Sequence, residues 1–260
     1  MRSILVSAEE TIGLEQRLQT ALDLARVHSG HLTLLFDIPL SRYVTVDAQG
    51  INCFASEALD AARQDEDAAV ARIEARLARE DVPFDIVRSE TDPAAALASA
   101  AQLCDLLIVS RACGIAGELA LLGHAPVLAL PDGKGLSVPV RRGCIAWDGS
   151  EQAAAAVRAA TPLLRLCETV EVLEVGAGAA DFPATDVLRY LSRHDIGADL
   201  IELEREGSVA QSLLTAVRHM EADLLVMGAY GHSRLREFLF GGVTAHFLAA
   251  PDAPALLLAH

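Results

Sequence analysis

The strongest constraint on the fold of this chain is that its sequence states one plan twice. Ile4-Leu5-Val6 matches Cys144-Ile145-Ala146, Cys104-Asp105-Leu106-Leu107-Ile108-Val109 matches Ala222-Asp223-Leu224-Leu225-Val226-Met227, and Ala125-Pro126-Val127-Leu128 matches Ala253-Pro254-Ala255-Leu256. Three anchors in one order define an internal repeat, so what one half builds the other builds as well. Between the halves, Pro131-Asp132-Gly133-Lys134-Gly135 and Pro139 combine turn formers with polar residues, the composition of a linker. The predicted repeats are 1–134 and 140–260.

Within each repeat, short apolar runs alternate with stretches of helical period. β-Branched runs without polar alternation are what strands covered on both faces look like. The second half is predicted to carry strands near 143–147, 170–175, 198–203, 222–227 and 254–258, with helices near 151–166, 183–194, 208–220 and 243–250. The first half repeats this, with strands near 3–7, 31–36, 84–88, 105–109 and 126–130. Helix 151–166 follows Asp148-Gly149-Ser150, a natural cap, and carries Val157, Ala160 and Leu164 on one stripe; helix 57–80 does the same with Ala62, Ala69, Ile73 and Leu77. The fold class is therefore α/β, two doubly wound parallel-sheet repeats in tandem. Ligands in such sheets sit at the carboxyl ends of the strands, where the winding reverses.

At 260 residues and 52% hydrophobic, the chain is long enough to bury two cores. Its 36 acidic against 21 basic side chains, a formal net charge of −15, argue against a nucleic-acid surface, which needs clustered Lys and Arg. No run approaches the roughly 20 apolar residues of a membrane helix, and Met1-Arg2-Ser3-Ile4-Leu5 leads into a strand rather than a cleavable signal, so a cytoplasmic protein is expected. Cys53, Cys104, Cys113, Cys144 and Cys167 form no C-x-x-C pair and read as reduced core residues.

The halves differ in two places. The span from Ala8 to Asp105 is 97 residues against 75 from Asp148 to Asp223, placing about 22 extra residues in the first half, most simply in 38–60 as a lid or packing arm. From Asp105 to Pro126 is 21 residues, whereas Asp223 to Pro254 is 31, so the first half lacks ten residues. In that place the second half has Gly228-Ala-Tyr-Gly231 and Gly241-Gly242-Val243-Thr244, a G-x2-G-x9-G frame between a strand and a helix. Glycines let backbone N–H groups approach a phosphate without a Cβ between them, and a helix start adds free amides and a positive dipole end. Gly228, Gly231, Gly241, Gly242, Val243 and Thr244 are the candidate phosphate cradle; the Thr244 hydroxyl donates to a phosphate or caps its own helix. Arg234 and Arg236 are charge partners for phosphate or a solvated pair, and His232 is a further loop candidate. Asp148, after the first strand of the repeat, faces the same crevice and suits a ribose hydroxyl or an adenine amine, with Val175 as an apolar wall for the base.

The stretch Gly228 to Thr244, Asp148 and the paired halves resemble a tandem universal stress protein, a likeness that spans essentially the whole chain. The resemblance implies a flavodoxin-like, adenine-nucleotide-binding fold in each repeat. It also implies a loop holding the ribose and phosphates of ATP, ADP or AMP with Mg²⁺, and adenosine flanked by Asp148 and Val175. Gly242 stands where the family has Ser or Thr, which removes one phosphate hydrogen bond, on the order of 1 kcal/mol. In the first half Ala8 replaces the acid, Ser110-Arg111-Ala112-Cys113 replaces the loop glycines, and Gly114, Gly117 and Gly123 have the spacing of an ordinary turn, so no nucleotide is expected there. Single-repeat members pair through their last strand, which implies that the two halves associate inside one chain; a homodimer of whole chains is also expected.

No G-x-x-x-x-G-K-[S/T] or G-x-S-x-G sequence exists, and His28-x2-His31 straddles a turn with no third ligand nearby, so no metal is assigned. No residue is a candidate for catalysis, beyond slow ATP hydrolysis. The leading expectation is a stress-response protein using a nucleotide as regulatory ligand; the alternatives are a nucleotide-free scaffold for a protein partner and a slow ATPase.

Overall fold

A computed structural model describes residues 1–9, 13–46, 52–176, 182–229 and 242–260. In chain order, β1 (Ser3–Ser7), α1 (Leu14–His28), β2 (His31–Asp37), β3 (Val44–Val46), β4 (Asn52–Phe54), α2 (Ser56–Leu77), β5 (Phe84–Ser89), α3 (Pro93–Ala100), β6 (Leu106–Ser110), α4 (Ala116–Leu122) and β7 (Val127–Leu130) form the first repeat. The second comprises β8 (Val140–Trp147), α5 (Glu151–Leu164), β9 (Cys167–Val175), α6 (Ala184–Arg193), β10 (Asp199–Leu203), α7 (Val209–His219), β11 (Leu224–Gly228), α8 (Val243–Ala249) and β12 (Ala255–Ala259). The predicted elements are present within a few residues. β8 and β9 begin earlier than read from the sequence because Arg141, Arg142, Glu168 and Thr169, the second and third residues of the two strands, are polar and break the apolar run.

Ten strands make one sheet in the order β10-β9-β8-β11-β12-β7-β6-β1-β2-β5. Each half has the same internal order, reflected about the central pair. All neighbours are parallel except β12 and β7, which run antiparallel with Leu257 opposite Leu128. Neither strand of this seam carries a charged side chain, and every residue in both is buried. A free edge of that kind would template aggregation, and pairing the two removes both edges at once.

Helices cover both faces. α1, α2, α5 and α6 share one apolar cluster, and α3, α4, α7 and α8 contribute to the other, each running across the seam. The strands between them read as unbroken apolar runs because both faces are covered; β6 and β12 are buried at every position.

The extra length of the first half, expected in 38–60, is divided between that segment and a long α2, itself read from the sequence as helix 57–80. Only part of it forms the β3–β4 hairpin and a 3₁₀ turn at Leu40–Tyr43, tied to the start of α2 by the Ala55 amide donating to the Tyr43 carbonyl at 2.8 Å. The rest lengthens a helix: α2 has 22 residues where its counterpart α6 has 10. Helical period continues through Ala69, Ile73 and Leu77, so the added turns are buried along one stripe rather than left as a loop.

Candidate functional site

The winding of the second half reverses between β8 and β11, neighbours in the sheet that are far apart in sequence. The chain leaves β8 at Trp147 and enters α5 through Asp148, Gly149 and Ser150. The Ser150 hydroxyl oxygen caps α5 by accepting from the Ala153 amide at 3.1 Å, and Asp148 Oδ1 accepts from the Ser150 amide at 3.0 Å. Asp148 is thus oriented by its own turn, while its side chain is exposed at the strand end and Oδ2 is left for another donor. Beneath it, Trp147 is buried and its indole N–H donates to the Phe182 carbonyl at 3.1 Å.

Gly228 ends β11 directly against α5. A Cβ there would lie 2.6 Å from the Ala153 amide nitrogen and 2.7 Å from the Gln152 carbonyl carbon. The glycine is therefore required by helix–strand packing, a reason the loop pattern did not disclose. α8 begins beside it: Gly242 is the N-cap, without any side-chain cap, and the buried Thr244 hydroxyl donates to the Gly228 carbonyl at 3.5 Å. Thr244 consequently ties α8 to β11 and does not cap its own helix. Without a side-chain cap, the first-turn amides around Val243 and Thr244 have no intrahelical acceptor. Val175 closes β9, half-buried, with its register partner Leu203 on β10.

The structure thus brings Asp148, Gly228, Gly242, Val243 and Thr244 together around the ends of β8 and β11, with Val175 one strand away on β9. Gly231 and Gly241, with Tyr230, His232, Arg234 and Arg236, lie outside the described residues. No group of three or more His, Cys, Asp or Glu side chains suited to a metal occurs among the described residues.

Two arginines that sequence reasoning passed over shape the surroundings. Arg111, buried in the 3₁₀ turn after β6, crosses the seam and donates to the carbonyls of Ala253 and Pro251 at 3.2 Å each, and of Phe247 at 3.5 Å. It fastens the far end of α8, the helix whose start faces the crevice. Arg17 of α1 is buried at the corresponding strand ends of the first half, donating to the Ser7 carbonyl at 3.2 Å and the Glu9 carbonyl at 2.5 Å; burial pulls its pKa below the ordinary value. Its signal in the sequence is weak, a charge on an otherwise apolar stripe of α1. The linker folds over the same place. Ser110 donates to Asp132 Oδ1 at 3.0 Å, the Leu136 amide donates to the Thr20 hydroxyl at 2.9 Å, and Gly13 lies so close to Gly133 that a Cβ would be 2.9 Å from its nitrogen. Gly114 and Gly123 both have left-handed backbone at the ends of short helices, and Gly117 is buried inside α4.

Among the other cysteines, Cys144 is buried and Cys104, Cys113 and Cys167 are half-buried, all as free thiols. Burial pushes Cys144 and Cys167 up to about 12, so neither is a thiolate nucleophile near neutral pH. His31 faces Asp85 at 3.4 Å, while His28 faces a different part of the surface.

The model of the universal stress protein family matches residues 140–258, the span that carries this crevice. The second repeat, over residues 140–258, belongs to the universal stress protein family. Over its whole length the fold is similar to that of a universal stress protein from Archaeoglobus fulgidus DSM 4304, at 14% identity and a TM-score of 0.74, covering 99% of this chain and 96% of that one. It is also similar to a functionally unknown protein from Pseudomonas aeruginosa PAO1, at 16% identity and a TM-score of 0.58, covering 100% of this chain and 92% of that one. Comparison with curated protein sequences finds no match. The fold of two tandem α/β repeats read from the sequence is therefore that of the whole chain, with the family's sequence pattern matched in the second repeat.

Proposed function

We propose that the second repeat binds ATP, or ADP or AMP, with Mg²⁺, as a regulatory ligand of a cytoplasmic stress-response protein. The observation that carries the reading is the meeting of an exposed, pre-oriented Asp148 and the uncapped start of α8 at the ends of the adjacent strands β8 and β11. A carboxylate there accepts from ribose hydroxyls, while free amides at a helix start favour phosphate oxygens. The glycine frame runs in sequence from the end of β11 to the start of α8, and Gly231 and Gly241 complete the proposed cradle. Val175 and the apolar end of β9 supply a wall for the adenine.

The first repeat is proposed to bind no nucleotide. Ala8 is buried at its strand end, where Arg17 donates to the Ser7 carbonyl and Ser110 to Asp132 of the linker. Calorimetric titration of the purified chain with ATP and Mg²⁺, beside a Gly231→Val variant, tests the proposal. One site per chain, lost in the variant, is the expected result. No heat and no co-purifying nucleotide in the wild type would sink it.

A further inference from the structure

A cavity of about 620 Å³ is lined by residues of both repeats, a volume within the range of small-molecule sites. Its walls come from the end of α1 with His28, the C-terminal half of α5 with Arg158, Thr161 and Arg165, and the end of α6 with Tyr190 and His194. None of the nucleotide-crevice residues lines it. In a chain with 36 acidic side chains, no carboxylate lines it among the described residues.

The polar groups around it have unused capacity. Arg165 donates through Nε to the His194 carbonyl at 3.0 Å, which fixes the guanidinium and leaves both Nη groups without an acid among the described residues. Arg158 forms no ion pair among those residues, whereas Arg26, Arg63, Arg76, Arg88, Arg141, Arg142, Arg189 and Arg218 all do. His28 Nε2 is buried without a hydrogen-bond partner. Thr161 donates to the Val157 carbonyl at 2.9 Å, so the Tyr190 hydroxyl, 3.3 Å away, donates to Thr161 and keeps its own oxygen as an acceptor. The Tyr190 and His194 rings pack against each other with centroids 4.5 Å apart and planes tilted by 54°. Asp105, whose charge reaches His28, already accepts from the amides of Arg2 and Ser3 at 2.6 and 3.1 Å.

We propose that this cavity binds a small organic anion, with a phosphate or carboxylate group held by Arg158 and Arg165 and a hydroxyl donating to Tyr190. Guanidinium groups match both kinds of oxyanion by paired N–H donors. Because the walls come from both halves, occupancy would bridge the repeats.

The test uses the full chain and two probes, glycerol phosphate and malate, with histidine ring resonances followed by NMR. Saturable shifts at His28 and His194 with either probe, His31 and His219 remaining still, are expected. The double variant R158Q/R165Q, altered at two exposed positions, should weaken that response at least about tenfold while circular dichroism remains that of the wild type. Absence of shifts with both probes, or shifts unchanged in the double variant, overturns the proposal. The arginines would then serve only as counter-charges to helix C-termini, whose dipoles favour cations.

Discussion

Gly228 shows how one residue answers two demands. Its place in the glycine frame suggests access of a ligand to backbone, and the fold adds that the first turn of α5 occupies the volume where a Cβ would stand. The obstructing atoms are backbone, so a larger residue must displace the helix rather than a flexible side chain. Gly228→Ala is expected to destabilise the chain by about 1–3 kcal/mol, the usual cost of overpacking a close contact. Urea denaturation measures it; an unchanged midpoint with unchanged slope would show that α5 moves freely. Thr244 is similar in kind: its hydroxyl, read from the sequence as ligand or cap, is engaged with the Gly228 carbonyl in the structure.

Among elements, α8 is the one on which the proposed site most depends, and its two ends are secured by different halves. Thr244 fixes its start within the second repeat, and Arg111 of the first holds the carbonyls of Phe247, Pro251 and Ala253 at its end. Arg111→Met keeps much of the volume and removes three charge-assisted hydrogen bonds, so a loss of roughly 2–3 kcal/mol is expected, together with weaker ATP binding. Thermal unfolding and calorimetry read the two effects, and full stability in the variant would remove Arg111 from this role. The strands and helices themselves were legible in the sequence because period and burial coincide: Leu106 to Val109 and Leu224 to Met227 are covered on both faces, and α5 carries one clean stripe. Arg17, Arg111 and the contact of Gly13 with Gly133 were not legible, since each depends on partners brought close only by tertiary folding. The long α2 was legible as helix 57–80, because Ala69, Ile73 and Leu77 keep helical period along its buried side.

At the scale of the molecule, the seam between β7 and β12 governs association. Single-repeat members are expected to pair by their last strands, and here those strands already pair with each other. The outer strands offer poor substitutes: β5 carries Asp85 and Arg88, and β10 carries Asp199 and Glu202, charges that discourage edge-to-edge growth. The homodimer proposed from the sequence must therefore use helical surfaces. Light scattering should give twice the chain mass of 27.5 kDa, and a mass of one chain would sink that proposal.

An intramolecular seam also changes what dilution can do. Two separate chains part when their concentration falls below the dissociation constant, whereas halves joined by residues 131–139 stay at a fixed effective concentration however few molecules a cell contains. A first repeat that binds no nucleotide, as proposed, is then still present, one for one, beside the half proposed to bind it. Stoichiometry is written into the peptide bond.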